Sequence, residues 1–371
     1  MDFDFSDDQE QLRDAVRKWV DKAYTFDRRR EITHAGGFDR AAYTELAELG
    51  LCGLYVSEDQ GGMGMGPVEG MVVMEELGRG IVLEPLQQAL IAGAVLEGYA
   101  PDALKADWLP KIAGGEAIVV LAHQERKSRY NTHKCDAQAQ QQDGHWHVTG
   151  AKSMVAVGDH ADGFLVPAMA SGKMALFLVA KGAKGCTTSG YGTQDGGRAA
   201  ELQLNQSPAS LITLDGQTAL SHAVDIGIAC VCAEGVGVMD KTMAITVDYM
   251  NTRKQFNTTI ATFQALRHRV ADMKMQLELG RSMSYYANLK LNTPATERHQ
   301  AMARAKYQMG TSMRFVGQQS VQLHGGIGVT DEYIVSHYFK KLTQLEMSFG
   351  DTLYHLGEVS ESMQETAGVF A

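Results

Sequence analysis

Three stretches of different hydrophobic periodicity divide the chain. From Ser6 onward, Leu12, Val16 and Val20 recur every four residues with charged positions between them, the spacing of an amphipathic helix. Ser6 followed by Gln9 forms a capping box that marks its start. Helical spacing continues in "RAAYTELAELGLCGLY" and "GMVVMEELGRG". Between them, "EDQGGMGMGP" carries Gly62, Gly64 and Gly66; no strand precedes these glycines, so they predict a link between helices and not a phosphate loop.

From about residue 116 the pattern shortens. "EAIVVLAH", "HWHVTGAKSMVAVG", "GFLVPA", "MALFLVA" and "AELQLNQ" alternate or are β-branched, as strands do. Asp143-Gly144, between "DAQAQQ" and "HWHVTG", predicts a tight hairpin, and glycine-rich connections such as "TSGYGTQDGGRA" complete a small sheet. After about residue 216 helical spacing returns: Val236, Met239, Met243 and Val247 mark one face of a long helix running towards Arg253, and "ERHQAMARAKYQMGTSMRFVGQQSVQLHGG" predicts a second. The fold class is therefore α+β, with an N-terminal helical domain over 1–115, a small antiparallel β domain over 116–215 and a C-terminal four-helix bundle over 216–371.

Composition narrows the function. With 371 residues, 44% hydrophobic and 21% charged, the chain can bury more than one core. A net charge of −10 argues against a nucleic-acid partner and leaves a small molecule. No apolar run of 18 residues is read in the sequence, and the opening "MDFDFSDDQE" is acidic where a signal peptide is basic and then apolar, so a cytoplasmic protein with no membrane partner is expected. The five cysteines, at 52, 135, 186, 230 and 232, show no zinc spacing, and Cys230 and Cys232 in "IGIACVCAEG" read as small core residues.

The chemistry concentrates in two stretches, "RKQFNTTIATFQALRHRVADM" from Arg253 and "VQLHGGIGVTDEY" from Val321. Together with the opening "MDFDFSDDQEQLRDAVRKWV" and the helix, sheet, helix order, they resemble the acyl-CoA dehydrogenase flavoprotein family along the whole chain. The family pattern runs R-x-Q-F-G, F-Q, A-D-M and later Q-x-x-G-G-x-G. The resemblance implies FAD as cofactor, an acyl-CoA as substrate and α,β-dehydrogenation of the thioester. It also implies that Arg253, Gln255, Phe256, Phe263, Gln264, Gln322, Gly325 and Gly326 hold the adenosine and pyrophosphate of a neighbouring subunit's FAD. The residue types suit that work: Arg253 offers a planar donor fork, Phe256 and Phe263 can wall an apolar slot, and glycines at 325 and 326 let a ligand lie on bare backbone. For the glycine pair, a helix C-cap is compatible with that contact.

The chain departs from the family pattern where the reaction needs a base. The usual Y-E-G-T glutamate is matched by "FGDT", so Phe349 and Gly350 stand where tyrosine and the base belong, with Thr352 closing the element as an expected cofactor contact. A minority arrangement places the base near Gly227 and Ile228, which carry no carboxylate. Asp351 is the nearest candidate base, with an N-cap as its other reading; Glu346 and Asp225 are weaker candidates. The family's T-E-P-x-A-G-S-D turn, which touches the flavin and the pantetheine, reads "QERKSRYN", so the resemblance implies a cofactor contact at Gln124, and its W-I-T segment reads "MVA", with Ala156 where a hydroxyl faces the flavin. Two assemblies follow: a homo-oligomer active through Asp351, or a heterotetramer with a larger paralogue that brings the base. The second resembles the small subunits of two-gene dehydrogenases for dicarboxylyl-CoA, such as pimeloyl-CoA, or steroid side-chain CoA esters. A flavin monooxygenase on the same fold is the alternative from another class.

Overall fold

The Ser6 hydroxyl accepts the backbone N–H of Gln9 at 3.3 Å and the Gln9 side chain accepts that of Ser6 at 3.0 Å, so the chain enters its first helix as the sequence predicts. The protein is seen in a computed structural model that describes residues 5–366; residues 1–4 of the acidic opening and 367–371 of the C-terminal segment lie outside it. Six helices come first: α1 (Asp7–Lys22), α2 (Phe26–His34), α3 (Arg40–Glu48), α4 (Pro67–Arg79), α5 (Leu86–Tyr99) and α6 (Asp102–Ala113). Seven strands follow: β1 (Val119–Leu121), β2 (Gln138–Gln142), β3 (His145–Ala156), β4 (Gly163–Ala170), β5 (Lys173–Ala180), β6 (Cys186–Gly192) and β7 (Arg198–Thr213). The chain then runs through α7 (Gly216–Thr252), a hairpin of β8 (Lys254–Gln255) and β9 (Thr258–Thr259), α8 (Gln264–Lys290), α9 (Ala295–His324), α10 (Ile334–Met347) and α11 (Thr352–Thr366).

Contacts sort the described residues into two units that do not follow three consecutive segments. One gathers residues of Met1–Arg29, Pro67–Val82 and Ile228–Ala371; the other gathers Arg30–Gly66 and Leu83–Gly227. Thus α1 and α4 belong with the C-terminal helices, and α3, α5 and α6 belong with the sheet. In the helical unit α9 is central, packing against α8, α10 and α11. Its buried Met302, Ala305, Met309, Met313 and Val316 follow the helical period and form one stripe. Val236 and Met239 of α7 are fully buried, as are Cys230 and Cys232 nearly so, whereas Val247 is exposed. The expectation that no apolar run reaches membrane length is corrected by α7, which is long and apolar enough to cross a bilayer. An 18-residue window of it is 94% buried, as in the core helix of a soluble protein.

The sheet is mixed, which corrects the expected all-antiparallel pairing. β4 runs parallel to both β1 and β2, while β2–β3, β3–β7, β7–β5, β5–β4 and β6–β7 are antiparallel. The pairings β4–β2–β3–β7–β5–β4 close on themselves, so these strands cover one another's edges. Gln142 pairs with His145, and Asp143 and Gly144 between them have φ of 50° and 82°, the two left-handed residues of the predicted hairpin turn. "TSGYGTQDGGRA" is only in part the connection it was expected to be, because its first residues continue β6 up to Gly192.

Candidate active site and cofactor cradle

The first cluster sits where α7 ends. Arg253 follows its last residue, donates its N–H to Tyr249 O at 2.8 Å and receives that of Ile260 at 2.9 Å. The chain reverses at once: Gln255 pairs with Thr258 across a two-residue turn in which Phe256 and Asn257 have φ of 53° and 62°. Asn tolerates that conformation; a phenylalanine there is strained. Phe256 is also 87% exposed, touching Phe263 edge to face at 6.1 Å between centroids. A strained aromatic ring held in water is an unfavourable arrangement for a lone chain and a reasonable one for a ring that a ligand or second subunit covers. Gln255, Gln264 and Arg253 are exposed around it.

The second cluster sits where α9 ends, and the two are joined. Tyr249, one turn before Arg253, stacks on His324 at 4.4 Å and donates its hydroxyl to His324 O at 3.3 Å. His324 is buried; its Nδ1–H donates to Ser320 O at 2.7 Å, and its Nε2 is buried with no hydrogen-bond partner. Gly325 follows with φ of 64°, and a Cβ at either Gly325 or Gly326 would meet nothing within 4 Å. At 326, then, neither backbone strain nor packing within the chain requires glycine. Open backbone, an orphaned ring nitrogen and exposed Gln322 and Arg253 suit a polar, phosphate-bearing ligand such as the nucleotide half of FAD. Tyr249 and His324 are neighbours of these candidates that sequence reading missed; their signal was the four-residue spacing from Arg253 and adjacency to the glycines.

The third cluster is the loop between α10 and α11, where the family pattern puts the base. Gly350 has φ of 112°, and a Cβ built there would lie 2.5 Å from His355 Nε2 and 2.7 Å from Tyr354 Cδ1. The space is filled by the chain itself. His355 is buried, donates from Nε2 to Phe349 O at 3.0 Å, and is held neutral by burial, its pKa drawn down to about 3. From α9 the fully buried Lys306 donates to the carbonyls of Glu346 at 2.7 Å and Gly350 at 2.8 Å; burial lowers its pKa to about 8.

The neighbouring carboxylates are engaged. Asp351 Oδ1 accepts the N–H of Tyr354 at 2.8 Å, and its carbonyl accepts that of His355 at 3.1 Å, so Asp351 caps α11. Glu346 accepts the Thr352 N–H at 3.0 Å, the Thr352 hydroxyl at 2.6 Å and Arg314 Nη2 at 2.9 Å. Thr352, expected at the cofactor, is therefore a buried partner of Glu346. Asp225, Gly227 and Ile228 are all buried within α7.

In the sheet unit, Gln124 is half-buried and its carbonyl accepts the Ser153 N–H at 2.9 Å, tying the turn after β1 to β3. Beside it Glu125 forms a buried ion pair with Lys152 at 2.7 Å and also accepts the N–H groups of Asp136 and Ala137 at 2.6 and 3.1 Å. These bonds outweigh the cost of burial and keep the Glu125 pKa low. The turn that resembles the flavin-contacting element is thus anchored by a buried charge pair.

Models of the acyl-CoA dehydrogenase N-terminal and C-terminal domains match residues 6–116 and 215–364. The chain belongs to the acyl-CoA dehydrogenase family, oxidoreductases whose cofactor is FAD. It is 26% identical over 379 residues to acyl-CoA dehydrogenase FadE27 of Mycobacterium tuberculosis strain H37Rv, an alignment covering 99% of this chain and 100% of that one. Among solved structures, a variant of the Tcur3481-Tcur3483 steroid acyl-CoA dehydrogenase superposes with a TM-score of 0.91 at 26% identity, covering 97% of this chain and 99% of that one. A chain of the ChsE4-ChsE5 complex from Mycobacterium tuberculosis gives 0.90 at 25%, covering 99% and 100%.

Proposed function

We propose that this chain is the subunit without a base in a heteromeric FAD-dependent acyl-CoA dehydrogenase of the cytoplasm. It contributes Arg253, Gln255, Phe256, Phe263, Gln264, Gln322, Gly325 and Gly326 to FAD across an interface, while a larger paralogue brings the carboxylate that takes the Cα proton of a CoA thioester. FAD, when bound, supplies the acceptor for the Cβ hydride. The observation that carries the proposal is the filled space at Gly350, where an L side chain collides with His355 and Tyr354. A glutamate is not merely absent there; placing one strains the backbone and requires the His355 and Tyr354 side chains to move. Asp351 does not replace it, because its carboxylate is occupied at the head of α11. The likeness to chains of two-component assemblies supports a second polypeptide.

The test is a comparison of the chain purified alone with the chain copurified with its native companion, each assayed for dye-linked acyl-CoA oxidation and bound flavin. Turnover is expected only in the assembly. Robust turnover by the lone chain, abolished in Asp351→Asn, would sink the proposal.

A further inference from the structure

Lys152 is wholly buried in β3, and its Nζ lies 2.7 Å from Glu125 Oε1 and 3.6 Å from the sulfur of Cys135. Glu125 has a structural task in the turn after β1; Cys135 has none in the function proposed above. The same carboxylate brings amine and thiol together. It holds Lys152 on one side and accepts the N–H groups of Asp136 and Ala137, the two residues after the cysteine, on the other. Nitrogen and sulfur are thus fixed near van der Waals contact, where proximity stands in for concentration. The thiol has one proton and three oxygens around it: Pro167 O at 3.3 Å, Glu125 Oε1 at 3.5 Å and Ala137 O at 3.8 Å. Of its polar neighbours, the lysine nitrogen is the nucleophile. Cys135 is half-buried and lines a cleft with Tyr130, Asn131 and Pro167, which gives a diatomic oxidant a way in. No disulfide competes, since all five cysteines are free.

We propose that dioxygen joins Lys152 to Cys135 through a single oxygen atom, an N–O–S bridge that staples β3 to the segment before β2 and opens again under reducing conditions. The Lys152 ammonium first passes its extra proton to Glu125, the carboxylate beside it. The S–H bond, one N–H bond and the O–O bond then break. S–O and O–N bonds form, and the second oxygen leaves as water with the two hydrogens. Sulfur and nitrogen give up two electrons each, the four that one dioxygen takes. A one-atom spacer suits the site, because it closes less of the 3.6 Å gap than a direct S–N bond would. Nitrogen bonded to oxygen is a weak base, so the bridged lysine is uncharged and Glu125 keeps the proton; a buried ion pair gives way to a covalent link. Burial raises the Cys135 pKa, so little thiolate is present at neutral pH and the bridge forms slowly. A freshly made chain is therefore reduced and an oxygen-aged one bridged.

The test is intact-mass spectrometry of the full chain, purified without oxygen and then held in oxygen-saturated buffer. The aged chain is expected to be about 14 Da heavier, one oxygen gained and two hydrogens lost, and to return to the starting mass in dithiothreitol. Its proteolytic digest should contain one peptide pair joined between Cys135 and Lys152. Cys135→Ser removes the sulfur with little change of volume. It should show neither the added mass nor the joined pair, and its dye-linked turnover in the native assembly should match wild type. Three results would each overturn the proposal: simple additions of about 16 or 32 Da at Cys135 with Lys152 free, a direct link about 2 Da lighter than the reduced chain, or no change after prolonged exposure. Persistence of the added mass in Cys135→Ser would do the same.

Discussion

The Tyr249 hydroxyl donates to the main-chain carbonyl of His324 at 3.3 Å while their rings stack at 4.4 Å, so the last turn of α7 and the last turn of α9 are held as one piece. Arg253 leaves the first helix one turn later, and Gly325 leaves the second at the next residue. Arg253 and the open glycine backbone therefore sit on a joint platform. Tyr249→Phe is expected to cost about 1 kcal/mol, the net worth of one hydrogen bond, and Tyr249→Ala more, because the stack goes too. Chemical denaturation of the three proteins measures both steps.

Arg253→Ala is expected to reduce bound FAD at least about tenfold, since a charge-assisted hydrogen bond contributes roughly 1.5–3 kcal/mol. Flavin absorbance per chain after purification reports it. An unchanged ratio removes Arg253 from the cradle.

Gly350→Ala should destabilise the chain by about 1–3 kcal/mol from backbone strain alone, and further where the new Cβ displaces His355. Gly350→Glu should melt at least as low and gain no acyl-CoA oxidation. A stable Gly350→Glu chain with activity would mean the loop can open.

Acid should weaken the fold from about pH 6.5 downward. His355 has a folded pKa of about 3 and half-buried His123 one of about 4, both below the unfolded value of 6.5, so the unfolded chain takes up protons that the folded chain refuses. Their contribution is complete above pH 6.5 and is lost as pH falls through that window. Lys306 acts at the other end: its folded pKa of about 8 lies below the unfolded 10.5, so stability gains as pH rises from 8 towards 10.5. Denaturation midpoints across pH, compared with His355→Gln, should show a shallower acid loss in the variant.

Lys152→Met leaves Glu125 buried without its counterion and should cost about 3–5 kcal/mol. Adding Glu125→Leu should recover part of that loss and no more, because the N–H groups of Asp136 and Ala137 then lose their acceptor. Urea unfolding of the two variants distinguishes the cases.

Much of the architecture was legible in local pattern. The Ser6 capping box, the Asp143-Gly144 turn and the α9 stripe are each decided by residues a few positions apart, and each forms as read. What escaped reading lacked a local signal. α8 buries Met273, Leu277, Gly280, Ser284 and Ala287, too few of them apolar to stand out from its exposed faces. Glycines in "TSGYG" hid an edge strand.

By itself, the sequence determined most of the helices and strands and the tight turn at Asp143-Gly144, because hydrophobic period and capping chemistry act within a turn or two of backbone. It also determined that no glutamate stands at 350. Only the tertiary structure decided what occupies that space. His355, Lys306 and Glu346 come from three different helices, and their hydrogen bonds exist only once α9, α10 and α11 pack. The same holds for Tyr249 on His324: partners distant along the chain are chosen by packing, which no local pattern encodes.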